Sequence, residues 1–131
     1  MARHGENIMN HRGQTARHWY DKHYATFGPS PLMPWGRKIL HHFIALRVPP
    51  EAHVIDLGCG DGALLAALRT VAGHHPGSLW GIEQSRIAAS QAIARCPGSN
   101  IIVGDLLALP LRYGVYRVAI LAEVIEHLND Q

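Results

Sequence analysis

Cysteine is scarce in this chain: Cys59 and Cys96 are the two in 131 residues, too few for a disulfide framework. A reducing, cytoplasmic setting is therefore the expectation. Long apolar runs are missing as well. None approaches the ~18–20 residues that a membrane helix needs, and the polar start MARHGENIMNHRGQ has no apolar centre of a signal peptide. A soluble chain with no membrane partner is expected. A surplus of one charge is also lacking, since 12 Lys+Arg stand against 10 Asp+Glu, which by itself implies neither a nucleic-acid nor a membrane partner. What imbalance there is lies before residue 50, where Arg3, Arg12, Arg17, Lys22, Arg37, Lys38 and Arg47 face only Glu6 and Asp21. That stretch reads as a solvated basic face, or as a surface for an anionic substrate. With 47% hydrophobic and 17% charged residues the chain has the composition of a folded domain, not of a disordered tail.

The residues that are present divide into three parts. Residues 1–14 are polar and are expected to be mobile, and 15–50 form a helical cap. In that cap TARHWYDKHYATF carries Trp19, Tyr20, Tyr24 and Phe27 in a helical pattern, with Trp19, Tyr20 and Tyr24 expected to pack on the sheet. Prolines 29, 31 and 34 then interrupt the chain. A second helix over about 34–46 places Ile39, Leu40, Phe43, Ile44 and Leu46 at mixed three and four spacing. From residue 51 to 131 strand and helix alternate. HVIDLG (53–58), SLWGIEQ (78–84), NIIVGD (100–105) and RVAILAEVI (117–125) read as strands; GALLAALRTVA and SRIAASQAIARC read as helices, the latter with Ser85 as N-cap. The expected fold is α/β, a doubly wound Rossmann-like parallel sheet with right-handed crossovers. The adjacent pairs His41-His42 and His74-His75 carry little metal signal, because neighbouring residues do not share one helix face.

In such a sheet a ligand sits beyond the carboxyl ends of the strands. Gly58-Cys59-Gly60-Asp61-Gly62 occupies that place, after the first strand and before the first helix of the alternating part. Glycines let the backbone turn tightly and approach a ligand, leaving N–H groups of the helix N-terminus pointed at it. Cys59 fits because its side chain is small. Gly58, Gly60 and Ala63 also satisfy the dinucleotide pattern G-x-G-x-x-G/A, so a nicotinamide cofactor is a rival reading. Asp56 opposes it. Two unit charges ~5 Å apart at an effective dielectric of ~20 interact by about 3 kcal/mol, so a carboxylate there discourages phosphate and welcomes an ammonium. S-adenosylmethionine answers that description, with an ammonium, a sulfonium and no phosphate. Glu83, ending the second strand, is placed to accept from ribose hydroxyls, and Asp105, ending the third, from an adenine amino group. Asp61 either contacts the ligand or caps the following helix. Trp80 is expected in the core.

VIDLGCGDG, GIEQS, GDLLALPL and AILAEVIEHL, in this order, resemble the four successive motifs of class I S-adenosylmethionine-dependent methyltransferases over residues 53–128. The resemblance implies cofactor contacts at Asp56, Gly58, Cys59, Gly60, Glu83, Gln84, Asp105, Leu106, Ala122 and Glu123. Tyr116-Arg117 departs from it, since the family usually has an aromatic followed by aspartate there. Glu123, Glu126 and His127 match the E-x-x-E-H of small-RNA 2′-O-methyltransferases, where the resemblance implies metal ligands. Similar strings occur in methyltransferases acting on quinone precursors and other small molecules. HWYDKHYATFG, similar to the N-terminal helix of that group, favours a small-molecule acceptor over RNA. No catalytic base is identified, His127 being the one candidate near the right edge. The resemblance also implies a sheet of seven strands, of which this sequence supplies four. The chain is therefore expected to be a fragment of a longer enzyme, or a module completed through its open sheet edge by a second copy or a partner chain.

Overall fold

The computed structural model describes residues 21, 22, 25, 34–109, 111, 112 and 114–122. Four strands, β1 (Val54–Leu57), β2 (Leu79–Glu83), β3 (Asn100–Val103) and β4 (Val118–Ile120), form one parallel sheet in the order β3-β2-β1-β4. Three helices, α1 (Pro34–Ala45), α2 (Ala63–Ala72) and α3 (Arg86–Arg95), connect to it. The chain is thus wound outward from β1 in both directions, and strand order reverses beside the glycine loop. Residues 21, 22 and 25 are helical. The other residues of the 15–27 helix, and Glu123, Glu126 and His127, lie outside the described residues.

Register explains which residues face the helices. Val54, Leu79 and Ile120 join Leu64, Leu65 and Leu68 of α2, Ala92 of α3, and Ala45, Val48 and Ala52 in one buried cluster. Ile55 and Ile82, one residue out of step, are directed to the opposite face, as alternation along a strand requires. β1 is buried along its first three residues, as expected of a central parallel strand. At Gly81 in β2 an added Cβ would lie 2.7 Å from the Cys59 sulfur, so the absence of a side chain makes room for the loop above α2.

Local signals end the elements where they should. α2 stops at Gly73, whose φ of 74° suits glycine, and the His74 N–H reaches back to the Leu68 carbonyl at 3.2 Å in a Schellman-type closure. Ser85 caps α3, its hydroxyl accepting the Ala88 N–H at 3.2 Å. Pro34 opens α1, where a missing N–H costs nothing.

The large apolar residues of α1 are not its buried face: Ile39, Leu40, Phe43 and Leu46 are exposed, along with Trp35, while His41 and Ala45 are buried and Ile44 packs half-buried against the core cluster. Arg47 stacks over the Phe43 ring at 3.3 Å from its centroid, covering part of that stripe. The fourth strand is also shorter than its apolar run, ending at Ile120, with Leu121 and Ala122 outside strand geometry. Its pairing with β1 covers Val54 to Asp56, so the ladder stops at the level of the site. At the departing dipeptide the turn closes normally, Arg117 and Val118 N–H both reaching the His53 carbonyl, and Tyr116 meets Trp80 edge-on at 5.5 Å.

Candidate cofactor site

The site is built on the carboxyl ends of β1 and β2. Asp56 lies opposite Gly81 on one side and Ile120 on the other, and Glu83 follows two residues beyond Gly81 on the same face. Both carboxylates are buried. Burial, first, and the neighbouring Glu83, second, push Asp56 up to about 7, while Arg37 acts the other way. Glu83 is raised as well, chiefly by burial, although the N–H groups of Ser85, Gly60 and Gln84 hold it down in part. Two acids that resist ionisation beside each other make a place that gains most from a cation.

The loop above them turns through three left-handed glycines, Gly58, Gly60 and Gly62, at φ of 83°, 53° and 77°. Four of its N–H groups are already engaged. Gly58 and Cys59 both donate to the Ile82 carbonyl, Gly60 donates to Glu83 Oε2 at 2.8 Å, and Gly62 donates to the Cys59 carbonyl. Ala63, the first residue of α2, donates to Asp61 Oδ1 at 3.2 Å. The expectation that helix N-terminal N–H groups point at the ligand is therefore corrected at Ala63, and the four loop amides are taken by the Ile82 carbonyl, the Glu83 carboxylate and the Cys59 carbonyl. A pyrophosphate would find these five amides already bonded.

Glu83 thus ties the two motifs together. One oxygen holds Gly60 and the other accepts the Ser85 N–H at 2.8 Å; with the Gln84 N–H as a third donor, the carboxylate keeps one further lone pair. Ser85 in turn donates to Asp21 at 2.6 Å. Asp105 Oδ1 accepts the Leu107 N–H at 2.9 Å, shaping the turn after β3, and Gly104 N–H continues the β2 ladder to the Glu83 carbonyl. The structure therefore gathers Asp56, Cys59, Gly60 and Glu83 at one point. Gln84 is half-buried beside them, Asp105 and Leu106 lie at the same sheet edge one strand away, and Ala122 packs against the core cluster. Burial and the adjacent Asp56 push the Cys59 thiol up, so it serves as a small buried side chain and not as a nucleophile.

Sequence reasoning missed Arg37 and Arg95. Asp61 is 1% exposed, with Arg37 Nη2 3.3 Å from Oδ1 and Arg95 Nη2 3.0 Å from Oδ2. One arginine comes from α1 and the other from the last turn of α3, and no spacing in the chain announces either. A faint signal was available in the alanines of α3: a Cβ on Gly62 would lie 2.8 Å from the Ala92 Cα, so Ala88, Ala89 and Ala92 mark a close approach of that helix to the loop. Among the described residues, no group of three or more His, Cys, Asp and Glu side chains is arranged to hold a metal ion, and no helix is long and apolar enough to cross a membrane.

A parallel sheet reversing at an acid-rimmed glycine loop defines a doubly wound α/β domain. The chain belongs to the methyltransferase domain family, which it matches over residues 54–131. It is 32% identical over 92 residues to an O-methyltransferase of Pyrenophora dematioidea, an alignment covering 66% of this chain and 33% of that protein. The chain thus spans about a third of the curated relative it matches. Among solved structures it is similar to a TehB-like S-adenosylmethionine-dependent methyltransferase from Corynebacterium glutamicum (TM-score 0.56, 23% identity, 86% of this chain and 55% of that one). It is also similar to the magnesium protoporphyrin IX methyltransferase of Synechocystis with bound S-adenosylmethionine (TM-score 0.62, 14% identity, 86% and 64%). These two likenesses establish the class I, Rossmann-like methyltransferase fold.

Proposed function

We propose that this chain is the S-adenosylmethionine-binding portion of a methyltransferase that acts on a small molecule. The observation that carries the reading is the pairing of two buried, hard-to-ionise acids with a glycine loop whose amides are already engaged. Such a site rejects phosphate and accepts a cationic nucleoside. Asp56 would meet the methionine ammonium, Glu83 a ribose hydroxyl through its remaining lone pair, and Asp105 the adenine amino group through its second carboxylate oxygen. Gly58 and Gly60 permit the close approach, and Gln84, Leu106, Ala122 and Glu123 complete the contacts. The neighbour with bound S-adenosylmethionine supports the choice of cofactor.

The cofactor supplies an activated methyl group on sulfur. Methyl transfer is an in-line displacement that gains chiefly from orientation and exclusion of water, so the protein's contribution is positional. The residues on hand do that work: Glu83 fixes Gly60, and the Ile82 carbonyl fixes Gly58 and Cys59. The O-methyltransferase relative supports an oxygen as the acceptor atom, and the porphyrin methyltransferase supports a small acceptor.

Calorimetric titration with S-adenosylmethionine and S-adenosylhomocysteine tests the reading. Saturable binding is expected, lost in Asp56→Ala and Glu83→Ala, and not displaced by a nicotinamide dinucleotide. Absence of binding by folded protein, or displacement by the dinucleotide, would overturn it.

A second reading rests on β4. Among the described residues it is the outer strand on its side of the sheet, with Ala119 exposed and Leu121 41% exposed beside it. An open parallel edge pairs readily with further chain, so the module is completed by more of its own sequence, a second copy or a partner. Sedimentation of the purified chain distinguishes these: a monomer that binds cofactor would exclude self-pairing.

A further inference from the structure

The glycine loop is held from outside by charge as well as from beneath by Glu83. Asp61 sits between Gly60 and Gly62, and three contacts occupy its carboxylate: Oδ1 meets Arg37 Nη2 and the Ala63 N–H, and Oδ2 meets Arg95 Nη2. These contacts join three elements, α1, α3 and the start of α2. A carboxylate so occupied has little left to offer a ligand. Its orientation, however, determines where the flanking residues lie, and Gly60 and Gly62 have no side chains to anchor the loop themselves.

We propose that Arg37 and Arg95 are positioning residues that clasp Asp61 and thereby set the loop's affinity for the cofactor. The inference rests on the cofactor reading given above. The two arginines are not equivalent. Arg95 is 45% exposed at its side chain and lies in the last turn of α3; Arg37 is 16% exposed and lies in the first turn of α1. Arg37 is also near enough to act on Asp56, against the effect of Glu83 from β2, with Cys59 of the loop alongside. One turn further along α1, His41 is buried, and that burial together with the Arg37 charge keeps its ring toward the neutral form. Arg37 therefore bears on both the loop and the acid beneath it, and Arg95 on the loop alone.

The test uses the full chain and S-adenosylhomocysteine as probe. Titrations are run near pH 6 and pH 8 on wild type, Asp61→Asn, and the Met and Lys variants at Arg37 and Arg95. Hydrogen exchange at residues 60–63 of the unliganded proteins is followed in parallel. Asp61→Asn and Arg95→Met are expected to weaken binding about tenfold and to speed exchange at 60–63, while residues 65–68 inside α2 stay protected. Arg95→Lys restores most of the loss. Arg37→Met weakens binding and also moves its pH dependence upward, which a merely structural contact would not do; Arg95→Met leaves the pH dependence in place. Affinities within twofold of wild type and unchanged exchange would overturn the clasp. If wild type itself fails to bind while exchange at 60–63 still rises in Asp61→Asn, the clasp stands as a device of the loop and the cofactor reading falls.

Discussion

The two ends of the sheet treat buried polar groups in opposite ways. At the carboxyl end Glu83, Asp61 and Ser85 are buried and every one is bonded to a named partner, most of them backbone N–H groups. At the amino end His74 is 2% exposed, between α2 and β2, and neither ring nitrogen has a hydrogen-bond partner. A buried polar group without partners costs about 1–3 kcal/mol, so His74 weakens the fold. The bonded cluster at the other end shapes a loop. Asp56 is the member that stands apart, a buried carboxyl whose surroundings oppose its charge. On the cofactor reading proposed above, the contrast with His74 separates strain with a use from strain without one.

The largest break in that contrast is Asp56→Asn. Losing a buried charge pair with the ligand typically costs 2–5 kcal/mol, so S-adenosylhomocysteine affinity should fall about thirtyfold or more. The unliganded protein should melt no lower than wild type, since the substitution removes a desolvated acid. Calorimetry and thermal melting read the two effects. Next comes Gly62→Ala, which combines a φ of 77° with a contact of 2.8 Å to Ala92. It should destabilise the chain by about 2–4 kcal/mol in urea unfolding.

The pH dependence sharpens the comparison further. With Asp56 near 7 in the folded chain and near ~4 unfolded, the folded state binds the extra proton. Its stabilising effect is complete below about pH 4 and is lost as pH rises through about 7. Ligand binding runs the other way, because an ammonium needs the ionised carboxylate. Affinity should be about twentyfold weaker near pH 5.5 than near pH 7.5, and Asp56→Asn should flatten both trends. The smallest effect belongs to His74→Leu, expected to raise stability by about 1 kcal/mol with no change in cofactor affinity.

Much of this was legible beforehand, and unevenly. Strand and helix alternation, the glycine turn, the Ser85 cap and the acids at strand ends are local signals, set within a few residues by backbone geometry and side-chain chemistry. The buried face of α1 was not legible, because periodicity alone does not say which stripe is buried: Ile39, Phe43 and Leu46 are as helical in spacing as His41 and Ala45. The bonding of the loop amides was misjudged for a related reason. Glu83 was recognised as an acid near a ribose, but nothing in its sequence neighbourhood says that its oxygens also hold Gly60, 23 residues upstream.

The sequence by itself determined the order of the elements, the turn at Gly58–Gly62 and the acidic character of the sheet's carboxyl edge, because each depends on residues adjacent in the chain. Only the tertiary structure decided that Asp61 is held by Arg37 and Arg95, that Glu83 locks the loop and that Asp56 is pushed toward neutrality. Those properties arise from burial and from charges brought together across elements. Neither is a function of distance along the sequence.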